Sequence, residues 1–400
     1  MNAQAQPPIL VAGAGIAGLS VALALSAKGF SVRVFEKSAI LSEVGAGLQL
    51  SPNATRLLDR VGVLRRLMPS AVSPDGVFLQ DGKHGGTLLR IPFGSEAEKR
   101  WGAHYITCHR SDLQTALLGE ARQAPNIQIH LAASVNHVIE DDTGVIAAVE
   151  TGERTEEHRG SLLIGCDGVW STLRGTTRQG EPTRFTGFIA WRATIAADQV
   201  PEGLFPNETG VIAWVGPKAH LVAYPIRSGK LVNLVIITTG DPPPKQWANS
   251  GILHDVQHQF QGWNPAIRKL IDAGLEWTCW PLFEMPDYRF LDGKRMIFIG
   301  DAAHALPPFA AQGAAMAIED AFALARALSS PQPQWQHALK AFEKTRQARV
   351  GKVARRGAFN RFVYHATGPV AFARNQMMRL RPNEGFVADL DWLYSYDAEA

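Results

Sequence analysis

The hydrophobic pattern opens with a short unbroken apolar run, Ile9–Ala12, then a glycine turn and a helical stretch from Ala17 to Lys28. A four-residue apolar run bounded by glycine reads as a buried strand, and Gly29 stands where helices favour glycine as a stop. Ser31 to Glu36 alternates with the period of a strand and completes a strand–helix–strand unit. Residues 74–107 hold short apolar runs around Asp81-Gly82 and Gly85-Gly86, which predict a hairpin-like insertion. Helical spacing returns over Ser111–Arg122, and strands are predicted near Ile127–His130, Val135–Glu140, Gly144–Glu150 and Leu162–Cys166. Phe185–Ile195, Val211–Val215, Leu221–Tyr224 and Leu231–Thr238 then read as strands separated by Gly, Pro and Ser, a second, sheet-rich module. Pro242-Pro243-Pro244 predicts a stiff loop with two helical stretches behind it. Met296–Gly300 reads as a last buried strand, and Gly313–Leu328 and Trp335–Arg361 as helices.

Four hundred residues suggest two or three domains at roughly 100–200 residues each. With 46% hydrophobic and 19% charged residues the chain can bury a large core. A net charge of +3 gives no case for nucleic-acid binding, while a pI near 8.7 suits an anionic small substrate. The uncharged run from Ile9 to Ala27 mimics a membrane segment. Nothing basic precedes it, however, and Gly13, Gly15 and Gly18 break it into strand, turn and helix, so no membrane association is expected. The basic residues between Trp335 and Arg361, Arg346 and Arg349 among them, read as a solvated helix face. Cys108, Cys166 and Cys279 are far apart and form no ligand spacing. Neither disulfides nor a metal site is readable, and a reducing cytoplasm is the expected compartment.

Gly13-Ala-Gly15-Ile-Ala17-Gly18 sits between a buried strand and a helix, where a dinucleotide fingerprint must sit. The first glycine permits the tight turn, the second admits a pyrophosphate to the backbone, and the third lets helix and strand pack closely. Glu36, 18 residues after Gly18, ends the next strand in position to bond ribose hydroxyls. The pattern says dinucleotide without saying which. Only one such fingerprint exists, so a second dinucleotide would have no fold of its own. Two further segments follow buried strands: Gly165-Cys-Asp167-Gly168-Val-Trp-Ser171-Thr-Leu-Arg174, and Gly300-Asp301-Ala-Ala-His304-Ala-Leu-Pro307-Pro308. His109-Arg110-Ser-Asp112-Leu113 opens a helix ahead of both, between the fingerprint and the first of them. A carboxylate such as Asp301, at a strand end near the fingerprint, can accept bonds from ribityl hydroxyls; Asp167 alone reads equally as a turn aspartate capping its own backbone.

These blocks, in this order and over nearly the whole chain, resemble the single-component (class A) FAD-dependent aromatic hydroxylases of the para-hydroxybenzoate hydroxylase type. The resemblance implies an α/β fold: a Rossmann-like FAD-binding domain (1–73, 108–180, 286–330) interrupted by a sheet-rich substrate domain (74–107, 181–285), with a C-terminal helical segment (331–400). It implies noncovalent FAD, NADH or NADPH as electron donor, O2, and hydroxylation of a small aromatic acid, hydroxybenzoate- or salicylate-like, through a flavin hydroperoxide. The alternatives are a urate- or hydroxynicotinate-like heteroaromatic substrate, an FAD oxidase or dehydrogenase, or an NAD-binding sensor without turnover. A monomer or homodimer is expected. Carried onto this chain, the cofactor residues are Gly13, Gly15, Ala17, Gly18, Glu36, Lys37, Gly45, Gly47, Arg110, Asp167, Gly168, Arg174, Gly300, Asp301, Pro308 and Gly313.

Ile189-Ala-Trp191-Arg192 and His220-Leu-Val-Ala-Tyr224-Pro225 resemble blocks of the salicylate and 3-hydroxybenzoate hydroxylase branch. His220 and Tyr224, four apart on a strand, face one side. The resemblance makes His220 the base for a phenolic proton, Tyr224 the residue that orients the ring, and Arg192 and Gln312 substrate contacts. A lone histidine on a strand is otherwise a core or surface residue. His304, directly after Gly300-Asp301, reads as structural. In the Pro308–Asp320 block, Ala310 and Ala311 replace the usual glycine and Met316 a frequent asparagine. That variant, like Trp392–Asp397, resembles the 3-hydroxybenzoate 6-hydroxylase branch and leaves the substrate open.

Overall fold

The computed structural model describes residues 7–41, 47–177, 183–206, 209–241 and 252–400. Gly45 and the Pro242–Pro244 run lie outside the described residues. Strand Ile9–Ala12 has all four side chains buried, because it is the centre of a six-stranded sheet with strands on both flanks. Parallel partners Val32–Glu36 and Leu162–Gly165 flank it, Ile127–Leu131 and Met296–Phe298 extend the sheet, and Leu291–Asp292 closes one edge antiparallel. A strand buried on two faces needs an apolar run rather than alternation, which is why it was legible. Helices Ile16–Ala27 and Gly313–Leu328 pack against each other beside this sheet.

A seven-stranded sheet forms the second layer, in the order 278–284, 184–196, 231–239, 219–226, 210–216, 76–81, 87–92. The predicted insertion at 74–107 supplies its last two strands, Gly76–Asp81 running parallel to Gly210–Gly216. That stretch also contains two elements absent from the hairpin reading: helix Ser95–Trp101, and strand Ile106–His109, which pairs with Gly47–Leu50. Edge strands also escape the hydrophobic pattern. Arg154–Gly160 is a charged, mostly exposed edge strand held by its hairpin partner Val145–Thr151, and Thr278–Glu284 is an edge strand beside Arg184–Ala196. Edge strands need only one buried face or none, so their sequences carry little periodicity.

The tail forms helix Trp335–Tyr364 and three shorter helices. Two of its basic residues correct the expectation of a solvated face. Arg346 is fully buried and pairs with Glu319 at 2.8 Å and Asp320 at 2.7 Å, while Arg349 binds Glu319 at 2.7 Å and the carbonyls of Trp392 and Leu393. Both acids sit in helix Gly313–Leu328, so the ion pairs lock the tail onto the sheet layer. His304 joins the cluster at 2.5 Å from Asp320 Oδ2, which also accepts from the Gly300 N–H at 2.9 Å. The structural reading of His304 agrees with this placement. Removing one partner of a buried pair strands the other charge. Arg346→Leu is expected to destabilise the fold by about 3–5 kcal/mol, checked by urea midpoints, against a change near zero for the exposed Lys340→Leu.

Candidate functional site

Parallel strands in register end at one edge, so the residues that follow them gather in space. Gly13–Gly15 follows the first strand, Glu36 ends its neighbour, Asp167 follows Leu162–Gly165 and Asp301 follows Met296–Phe298. All four lie on the wall of one cavity of about 770 Å³, at the carboxyl edge where open α/β sheets bind ligands. Ala17, Lys37, Gly47, Arg110, Gly168, Pro308 and Gly313 line the same cavity.

The glycines divide by function. A Cβ on Gly13, whose φ is +105°, would meet the Cys166 carbonyl oxygen at 2.5 Å; one on Gly18 would meet the Gly13 oxygen at 1.9 Å. These two are required by packing. A Cβ on Gly15 meets nothing within 4 Å, because it faces the open cavity at the N-terminus of helix Ile16–Ala27. Backbone N–H groups and the positive end of the helix dipole stand there ready for an anion such as a diphosphate. Glu36 is fixed by bonds from the Ala14 N–H at 2.8 Å and the Ser38 N–H at 2.9 Å. Asp167 accepts from the Leu173 N–H at 3.3 Å through Oδ2, while Oδ1 is buried with no hydrogen-bond partner. The capping reading of Asp167 thus accounts for one oxygen only; the other is left for a hydroxyl or amide donor. An open glycine cradle, an oriented acid and an orphaned carboxylate oxygen are the features FAD requires, and the residues present fit it.

Besides Gly18, three described residues among those expected at the site stand off the cavity wall. Gly300, with φ +61°, fits between Ala17 and Ala317 and sets the turn into Asp301. Arg174 donates to the Ala302 carbonyl at 3.0 Å and lies against Met285. Gln312, expected at the substrate, is 3% exposed, with Nε2 donating to Ser51 at 2.9 Å and Oε1 accepting from Asn53 at 3.2 Å. It lines a smaller neighbouring cavity of about 340 Å³, behind the turn formed by Pro308–Ala311. These bonds tie its amide, at the start of helix Gly313–Leu328, to Ser51 and Asn53.

The far end of the large cavity is built by the seven-stranded sheet. Strand Ala219–Ile226 brings His220 and Tyr224 to its wall on one face, as their spacing requires, and Arg192 enters from Arg184–Ala196. Burial holds His220 well below the ordinary imidazole value, with His365 adding to the effect, so it is a neutral acceptor at pH 7. Burial also raises the Tyr224 phenol, opposed by the Arg192 cation beside it. Burial lowers Arg192 in turn, and its Nε is buried with no hydrogen-bond partner. A Cβ on Gly47 would meet the Tyr224 ring at 2.7 Å, so only glycine fits against the ring at this position. The remaining wall comes partly from the tail: Val363, Met378, Phe386 and Tyr394 give it apolar surface, and Arg356, Asn360, Arg381 and Asp389 also line it. Sequence reasoning missed this cover, and it missed His365, whose Nε2 lies 2.7 Å from His220 Nδ1.

A dinucleotide cradle joined to a buried pocket that holds a neutral imidazole and a guanidinium agrees with what the chain's relatives show: it is an FAD-dependent monooxygenase of the class A aromatic hydroxylases, drawing on NAD(P)H. The chain belongs to the family described as FAD binding domain, whose model matches residues 6–357. It is 35% identical over 391 residues to 3-hydroxybenzoate 6-hydroxylase of Polaromonas naphthalenivorans (strain CJ2), covering 98% of this chain and 96% of that one. It is 32% identical to 6-hydroxynicotinate 3-monooxygenase of Pseudomonas fluorescens, covering 98% and 95%. Among solved structures, Klebsiella pneumoniae HpxO complexed with FAD and uric acid shares the fold with a TM-score of 0.82 at 23% identity, covering 96% and 95%. Among the described residues no helix is long and apolar enough to cross a membrane.

Proposed function

We propose that the protein hydroxylates a small aromatic acid carrying a ring hydroxyl, of the hydroxybenzoate kind. The observation that carries this reading is Arg192: a guanidinium on the cavity wall whose Nε is buried without a partner. A buried, incompletely bonded cation is costly, and a carboxylate offers it two parallel charge-assisted bonds. His220 and Tyr224, on the wall of the same cavity, then serve the ring, with His220 accepting the phenolic proton and Tyr224 fixing the ring orientation. A phenolate ring is a far better nucleophile than a phenol, so a positioned base suits oxygen transfer. Bound FAD supplies the reduction by NAD(P)H and the activation of O2. The protein orients the ring and excludes water with apolar side chains of the tail such as Val363, Met378 and Phe386. Cytoplasmic residence fits the three cysteines, all buried as free thiols.

The relative from Polaromonas is named for 3-hydroxybenzoate, and the one from Pseudomonas for 6-hydroxynicotinate; both names denote carboxylates with a ring hydroxyl. The test is a panel of hydroxybenzoates, hydroxynicotinates and purines, scored by substrate-stimulated NADH oxidation and by product. The acids are expected to stimulate, and stimulation by purines alone contradicts the reading. Within the panel, Arg192→Met is expected to raise KM for the effective acid by about 10–100-fold, the loss of a charge-assisted bond. The corresponding neutral phenol should bind the variant and the wild type alike. An unchanged KM for the acid places its carboxylate elsewhere.

A further inference from the structure

His220 is 2% exposed, and its own exit for a proton is blocked by the rings of Phe309, Tyr364 and His365 packed around it. A base in that position can accept one proton but cannot exchange it with water. His365 resolves this difficulty. It caps the C-terminal end of helix Trp335–Tyr364, its Nε2 is 2.7 Å from His220 Nδ1, and it is only partly buried. With Nδ1 of His220 held by His365, Nε2 is the nitrogen left for the substrate hydroxyl.

Resting on the reading of His220 as base, we propose that His365 is the outlet for the phenolic proton, a relay residue joining His220 to solvent. The phenol O–H breaks as its proton passes to His220 Nε2. The proton on His220 Nδ1 moves to His365 Nε2, and the proton on His365 Nδ1 leaves to water. The pair ends in the opposite tautomer, and the same path runs backward to reprotonate the product phenolate. The histidine pair ends neutral, and the one negative charge left in the pocket is that of the phenolate.

The surroundings of His365 favour transit over storage. From its own helix Arg361 faces it, from the strand Ala219–Ile226 His220 faces it, and the neutral rings of Phe188 and Phe309 cover its sides. Burial, assisted by the Arg361 cation, pushes its imidazole down to about 4, so a proton arriving there is passed on. The negative end of the helix dipole softens the brief cationic state.

The experiment mixes holoprotein with the effective hydroxy acid and follows substrate phenolate absorbance together with a pH-indicator dye. Wild type is expected to show phenolate and released proton appearing together. His365→Gln keeps an acceptor for His220 Nδ1 but cannot pass a proton, and should slow release by about 10²-fold with FAD content and substrate affinity retained. His365→Glu, which can carry a proton, should restore release to within several-fold. Wild-type release in His365→Gln, or equal defects in the Gln and Glu variants, overturns the relay. If the Gln variant fails to fold, a proton inventory on the wild type decides: two protons in flight give a curved dependence on deuterium fraction, and a straight line refutes the proposal. His220→Ala separates the two readings, since wild-type phenolate formation there removes the base itself. Loss of phenolate there combined with normal release in His365→Gln removes only the relay.

Discussion

Gly15→Val leaves a folded protein that carries no FAD. The backbone at Gly15 has φ −74°, a value any residue adopts, and a side chain there meets no protein atom within 4 Å. Valine therefore adds no strain to the fold, unlike a substitution at Gly13 or Gly18, where a Cβ runs into backbone oxygen. Its methyls project into the space above the helix N-terminus, where the diphosphate must lie against the N–H groups. The expected result is a colourless protein with a wild-type circular dichroism spectrum and a melting temperature matching wild-type apoprotein. Full flavin content in this variant would mean that the diphosphate approaches from elsewhere and that the assignment of the cradle is wrong.

His220→Ala is expected to uncouple the enzyme. The side chain faces the pocket from the sheet and makes no contact among the cofactor residues, so FAD content should be unchanged. Without the base the ring remains a phenol and oxygen transfer slows by about 10²–10⁴-fold. NADH and O2 are still consumed when substrate binds, and hydrogen peroxide appears in place of product. The variant leaves a void beside Phe309 and Tyr364, so His220→Gln, which fills it, is the companion. Product per NADH should fall in both. Wild-type coupling in both would move the base elsewhere, and loss of flavin would make His220 structural.

Much of the fold was legible because the six-stranded sheet announces itself in apolar runs: Ile9–Ala12, Leu162–Gly165 and Met296–Phe298 are buried on both faces. The cofactor cradle was legible for the related reason that strand-end glycines and acids are fixed by geometry rather than by partners far away in sequence. His220 and Tyr224 could be paired from their period on one strand. The tail was not legible. Arg346 and Arg349 look like any basic helix face, and their burial depends on Glu319 and Asp320, about 30 residues earlier, which no local period reveals. The bonds of Gln312 were hidden for the same reason: its partners Ser51 and Asn53 are about 260 residues away. His365 carried no signal at all, since its meaning comes from a contact across 145 residues.

The central claim is that this cavity transfers an oxygen atom to an aromatic ring held by Arg192 and His220. It is tested most directly by turnover of the acid that best stimulates NADH oxidation, under ¹⁸O2, with product analysed by mass spectrometry. The account predicts one ¹⁸O atom in each molecule of hydroxylated product and none from labelled water. NADH consumption with stoichiometric hydrogen peroxide and no label in any product of every effective acid would contradict it and leave an oxidase.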